Sequence, residues 1–357
     1  MSFASVLLAA VLLAGCAGTA PIAAPTAEPT ESTGPETLTV ITHDSFAVSE
    51  NVIAAFEEAN NAKVTFMKAG DAGTLLNKVV LTKDAPMADV FYGVDNTFLS
   101  RALEAGIFAS YSSPLLAKIP AEFQLDSSNS ALPMDYGDVC INYDKAYFQT
   151  HNLTVPQSLE DLAKPEYKGL LVVENPATSS PGLAFLMATV AHFGADQAME
   201  YWKSLQANGM VAVNSWETAY YTNFSGSSGK GPQPMVVSYA SSPAAEVFFA
   251  SPQPEEAPTA SITAKDTCFR QIEFVGILKG TQHEALAQKF VDFMLSTTFQ
   301  EDMPLQMFVY PVNNEAKLPE VFQKYAQTAQ EPASLDSAEI TANRETWIQA
   351  WNEAVLK

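Results

Sequence analysis

The chain has 357 residues, of which 47% are hydrophobic and 17% charged, enough apolar content for a large folded core. Its 19 basic residues against 40 acidic ones give a formal charge of −21, which argues against nucleic acid as a partner and would draw a cationic ligand to the surface. Beyond roughly 250 to 300 residues single cores stop growing, so the body of the chain should divide into two lobes.

At the N-terminus, residues 6–14 form an apolar run, Val-Leu-Leu-Ala-Ala-Val-Leu-Leu-Ala, that leads into Gly15-Cys16. The run is too short to span a bilayer and reads as the h-region of a secretory signal, although residues 1–5 lack the usual basic n-region. Leu13-Ala14-Gly15-Cys16 resembles a lipobox, in which the Cys16 thiol is acylated and anchors the mature chain to a membrane. Residues 17–36 are rich in Pro, Thr, Ala and Glu, bury too little apolar surface to repay ordering, and read as a tether.

From residue 37 the chain alternates strand and helix. Leu38–Thr42, Lys63–Met67 and Ala88–Tyr92 are short β-rich runs, with amphipathic helices expected at Val52–Asn60 and from Thr74 to about Thr82. This βαβαβ order predicts an α/β fold opening with a parallel sheet. Near Leu132–Gly137 the chain is expected to cross into a second lobe that begins with the strand Val139–Tyr143. Further strands are expected at Leu170–Val173 and Met235–Tyr239, with helices at about 182–193 and 195–206. A return crossing is expected near Cys268–Phe274, followed by the helix Glu284–Leu295. The final helices, about 319–328 and 337–355, should pack on the second lobe. Lobe 1 is therefore expected to comprise 37–133 and 267–312, and lobe 2 134–266 and 313–357, joined by a hinge of two crossing strands.

Setting Cys16 aside leaves Cys140 and Cys268, two thiols distant in sequence in a compartment that permits disulfides, and a bridge between them is expected. The histidines, His43, His151, His192 and His283, are scattered and form no Cys/His cluster, so no structural zinc site or cofactor is expected. In open α/β sheets ligands bind beyond the carboxyl ends of strands, where helix N-termini present free N–H groups. Four junctions fit: His43–Phe46, Gly70–Thr74, Asn175–Gly182 and Ser238–Pro243. In the third, Ser180 could cap a helix with Pro181 at its first position. Asn214-Ser215-Trp216-Glu217 lies at a further helix start. Ser112-Ser113-Pro114 reads as ordinary capping.

At these junctions the sequence resembles the thiamine-binding proteins of bacterial ABC importers, from about Leu38 to the C-terminus. The matching segments include Asp44-Ser45-Phe46, Gly93-Val94-Asp95-Asn96, Asp135-Tyr136-Gly137, Thr178-Ser179-Ser180-Pro181-Gly182-Leu183, Ser242-Pro243 and Tyr310-Pro311-Val312. The resemblance implies a type II, two-lobe periplasmic-binding-protein fold whose cleft holds thiamine or its mono- or pyrophosphate. It also implies a monomer that delivers its ligand to an importer permease, and a clamp rather than an enzyme. It places His43, Asp71, Ala72, Ser179, Trp216, Tyr239, Ser241 and Phe308 at the ligand. His43 stands where the family has a stacking tyrosine and Phe308 where it has a tryptophan.

Two rival readings differ in class. Tyr220-Tyr221 would suit ferric ion, but on an α-helix adjacent residues diverge by about 100°. A hydrolase would need a nucleophile with a base, and there is no Gly-x-Ser-x-Gly elbow and no recognisable pairing of a histidine.

Overall fold

The computed structural model describes residues 34–357, so Cys16, the signal-like segment and all but the end of the tether lie outside the described residues. From Glu36 onward the chain builds β1 (Glu36–Thr42), α1 (Glu50–Asn60), β2 (Ala62–Lys68), α2 (Ala72–Leu81), β3 (Val90–Asp95), α3 (Leu99–Ala105) and the short β4 (Phe108–Ala109). Strands β2, β1 and β3 run side by side and parallel, as the opening alternation predicts. Helix α1 buries Val52, Ile53 and Phe56 and stops at Asn61, whose left-handed φ of 48° turns its N–H back to the Glu57 carbonyl.

Next comes a single long strand, β5 (Leu132–Asp144), then α4 (Lys145–Thr150), β6 (Leu171–Glu174), α5 (Ser180–Phe193), α6 (Ala195–Ala207) and β7 (Val211–Val213). After these follow β8 (Met235–Tyr239), α7 (Ser242–Phe248), β9 (Thr259–Ile262), the long β10 (Phe269–Leu278) and α8 (Glu284–Leu295). Helix α5 is buried on every side from Ser180 to Val190, the mark of a helix enclosed in a core. Helix α6 is one-sided and buries Ala198, Tyr201, Trp202 and Leu205 at helical spacing. The chain closes with α9 (Thr297–Gln300), α10 (Met303–Gln306), β11 (Tyr310–Pro311), α11 (Glu320–Tyr325) and α12 (Ser337–Val355). Helix α12 packs on α6, with Trp351 meeting Trp202 edge to face at 5.6 Å.

The sheet order, β2-β1-β3-β10-β5-β8-β6-β7, places the antiparallel pair β5/β10 between the two strand groups. Strand β10 pairs with β3 on one side and β5 on the other, while the second half of β5 pairs with β8. Register shifts fall between Glu273 and Phe274 against β5 and between Phe274 and Val275 against β3. Such bulges bend a strand and increase its local twist, and here they sit where β10 serves both halves of the sheet. Where the sequence suggests a crossing near Leu132–Gly137 with a strand beginning at Val139, β5 is continuous from Leu132. The expected crossing at Cys268–Phe274 is the first half of β10.

Two further ties fix this pair. Cys140 and Cys268 are disulfide-bonded across a sequence separation of 128. Arg270 donates to both oxygens of the buried Asp138 at 2.8 and 3.0 Å, and Asp138 also accepts the Ala329 N–H at 2.7 Å. A two-pronged guanidinium–carboxylate bond fixes orientation as well as distance.

Candidate ligand-binding cleft

The ends of β1 and β8, the middle of β10 and the starts of α2, α5 and α7 surround a cavity of about 220 Å³. His43 follows β1 and is only 8% exposed. Its ring lies against β3 at Gly93, where the backbone φ is +107° and a Cβ would come within 2.5 Å of the imidazole. Glycine at that position is what lets the ring settle there. Burial holds the His43 pKa down at about 4, with a smaller contribution from Lys68, so the ring is neutral at physiological pH.

Asp71 caps α2, accepting the Ala72 N–H at 2.7 Å, and its other oxygen accepts the Trp216 N–H at 3.0 Å. Burial raises the Asp71 pKa, and these two N–H bonds oppose the rise. Beside it the Gly73 N–H donates to the Thr178 carbonyl at 3.0 Å. A Cβ on Gly73 would stand 2.7 Å from the Ala177 carbonyl oxygen, so only glycine permits this approach of two backbones.

Trp216 stacks on Tyr220 at 5.0 Å and 20°, and meets Tyr239 edge-on at 6.4 Å. Its indole N–H donates to Ser238 Oγ at 2.9 Å, and Ser238 in turn is 3.0 Å from Ser242 Oγ. These bonds fix the indole plane at the cavity wall. Phe308, also in the lining, adopts a left-handed φ of 54° and packs at 5.4 Å from Phe249. A non-glycine residue in that region is strained and is held by its surroundings, here by Ser241 Oγ donating to the Phe308 carbonyl at 2.5 Å.

Of the residues expected at the ligand, His43, Asp71, Ala72, Trp216, Tyr239 and Phe308 line the cavity together. Ser179 and Ser241 do not: both are buried, and Ser180 and Ser242 stand at the wall in their place. Ser179 occupies the cap position of α5 without a side-chain cap bond, and Ser180 is the first helical residue rather than the cap. Ser241 acts through Phe308. Ser113, by contrast, caps its short helical turn by accepting the Leu115 N–H at 3.2 Å, as expected.

Sequence reasoning missed Tyr220, Tyr221 and Glu273 as cavity residues. The tyrosines lie on a wide π-turn, Thr218–Asn223, instead of an α-helix; their rings stand at 82° to each other, Tyr220 buried and Tyr221 exposed, and yet both line the cavity. Tyr220 donates to Glu246 at 2.8 Å, which commits its hydroxyl. Glu273 lies mid-strand in β10, between apolar neighbours, and only its charge within an apolar run could have signalled it. Among the described residues the lining carries the carboxyl groups of Asp71, Glu217 and Glu273 and no lysine or arginine. Aromatic rings with acidic groups and no permanently charged base are suited to a flat cation.

Comparison with known proteins gives the same picture. A family model described as bacterial extracellular solute-binding protein matches residues 85–329. The thiamine-binding periplasmic protein of Escherichia coli (strain K12) is 31% identical over 325 residues, covering 90% of this chain and 94% of that one. A solved periplasmic thiamin binding protein superposes with a TM-score of 0.78 at 28% identity, covering 92% of this chain and 98% of its own. A ferric binding protein from Campylobacter jejuni has a TM-score of 0.72 at 21% identity, covering 89% of this chain and 99% of its own, and shares the fold. The chain belongs to the bacterial extracellular solute-binding proteins, with their type II two-lobe fold.

Proposed function

We propose that this protein captures thiamine or a thiamine phosphate outside the cytoplasm and hands it to the permease of an ABC importer, acting by binding and closure without turnover. The observation that carries the reading is the cavity wall: Trp216, Tyr220, Tyr239 and Phe308 contribute aromatic rings, Asp71 and Glu273 contribute carboxyl groups, and among the described residues no lysine or arginine lines the cavity. A thiazolium ring over such faces gains about 0.5 to 2 kcal/mol per good contact. The N-terminus of α5, with Ser180 at the wall, gives a phosphate ester unpaired N–H groups to meet. Relatives named as thiamine-binding cover nearly the whole chain and support the same ligand.

In this reading the lobes comprise 37–133 with 267–312 and 134–266 with 313–357, and Cys16 carries a lipid that tethers a monomer to the outer face of the cell membrane. Ferric ion is the second reading, favoured by Tyr220 and Tyr221 facing one cavity. Calorimetric titration of the ligand-stripped protein with thiamine, thiamine phosphate and thiamine pyrophosphate tests the proposal. One-to-one binding of at least one of them is expected. A folded protein that ignores all three and turns red with ferric ion would replace the first reading with the second.

A further inference from the structure

Glu273 and Asp135 are directly paired across β10 and β5, with both side chains buried. Two carboxyl groups at opposed positions on neighbouring strands repel each other if both are charged. Tyr92, on β3, lies between them: its oxygen is 2.7 Å from Asp135 Oδ2 and 3.1 Å from Glu273 Oε2. A phenol has one proton. Donated to Asp135 in the shorter bond, it leaves the contact with Glu273 satisfied when Glu273 carries a proton and donates to the phenol oxygen.

Glu273 also lines the cavity, and there it faces His43. His43 Nε2 lies 3.5 Å from Glu273 Oε1 and has no hydrogen-bond partner among the described residues, although His43 is more than nine-tenths buried and lines the same cavity. The remaining groups facing Glu273 are Asp95, at the end of β3, and Tyr239, at the end of β8. None of these neighbours brings a positive charge. Burial first, and the Asp135 charge second, push the Glu273 pKa far above the usual carboxyl range, in keeping with the geometry.

We propose that Glu273 is the charge-selecting residue of the cleft: it holds a proton before the ligand enters and releases it to solvent when a cationic ring arrives, so that capture of a cation is coupled to proton release. The balance is simple. The carboxylic acid becomes a carboxylate, the proton passes to the buffer, and the net charge of the cavity is unchanged because the ligand brings the positive charge that leaves with the proton. The buried acid pair then favours a cation over a neutral molecule of the same shape, because only a cation compensates the ionised form. This inference rests on the reading of the ligand as thiamine.

The test is calorimetry with thiamine in two buffers of different ionisation enthalpy, from pH 6.5 to 8.5, on wild type, Glu273→Gln and Asp135→Asn. Wild type should release a proton on binding, and where release is complete the dissociation constant should tighten about tenfold per pH unit. Glu273→Gln should release none, bind thiamine with no pH dependence, and bind about tenfold more weakly at pH 8.5, the loss expected for a charged partner. Asp135→Asn, which removes the opposing charge, should still bind thiamine but shift the release to lower pH, and it serves as the readout if Glu273→Gln does not fold. Thiamine binding by wild type with no proton release at any pH, or release retained in Glu273→Gln or left unshifted in Asp135→Asn, overturns this inference alone. No thiamine binding by folded wild type overturns the ligand reading as well.

Discussion

The Asp71 carboxylate at the start of α2 accepts the backbone N–H of Trp216 at 3.0 Å, joining the two walls of the cleft through one side chain. The same carboxylate caps α2, so the bond links closure of the cleft to the placement of a helix N-terminus. Asp71→Ala removes both partners. The lost cap should cost about 1 kcal/mol of stability, and the lost cross-cleft bond should weaken thiamine binding by about tenfold. Calorimetry and thermal melting read the two effects separately, and an unchanged affinity would show that this bond does not contribute to capture.

The approach of Gly73 to Thr178 has no room for a side chain. Gly73→Val should leave each half of the sheet intact but hold the cleft open, since overpacking costs about 1 to 3 kcal/mol. The expected result is thiamine binding at least about fivefold weaker and a larger radius of gyration in ligand-saturated small-angle scattering than in wild type. A variant that closes like wild type would mean the backbones separate easily.

Trp216 is pinned by Ser238 and Tyr220, while Tyr239 crosses it edge-on. Trp216→Ala and Tyr239→Ala should each weaken thiamine binding by at least about 1 kcal/mol, within the range for aromatic and cation contacts. Wild-type affinity in both would show that the ligand lies elsewhere.

Stability should fall from mildly acidic toward alkaline pH. Burial raises the pKa of Asp95 to about 6 and that of Asp135, Glu174 and Glu273 above the normal range. Each binds its proton more tightly folded than unfolded. Its contribution is therefore complete below the unfolded carboxyl value and is lost as pH rises through the folded one. His43 works in the opposite sense: with its folded pKa near 4, its contribution is complete above 6.5 and is lost as pH falls. Each group shifts stability by up to about 1.4 kcal/mol per pH unit inside its window, and the carboxyls outnumber the imidazole. A melting temperature about 5 °C or more higher at pH 5 than at pH 8 is expected. A melting temperature that rises with pH would mean these acids are ionised in the folded protein.

The strand–helix alternation of the first half was legible because β1, α1 and β2 have clean periods and ordinary stops. Strand β5 was legible only in part: a crossing was expected near Leu132–Gly137 and a strand from Val139, yet these residues form one strand that carries a bulge at Met134 opposite β10. The acids beneath the cavity were hidden for a related reason. Asp135 and Glu273 are far apart in sequence, and only the β5/β10 pairing makes them neighbours. In each serine pair the residue that lines the cavity is one position beyond the one expected at the ligand, because capping chemistry does not fix which of two adjacent serines turns toward the cavity. Tyr220 and Tyr221 were read on α-helical geometry, whereas they lie on a π-turn and both line the cavity.

A crystal structure of the protein with thiamine tests the central claim most directly. The account predicts the ligand in the cavity between Trp216 and Phe308, with its cationic ring over an aromatic face and its charge toward Asp71 and Glu273. Thiamine bound at any other place, or a cavity holding ferric ion on Tyr220 and Tyr221, would contradict it.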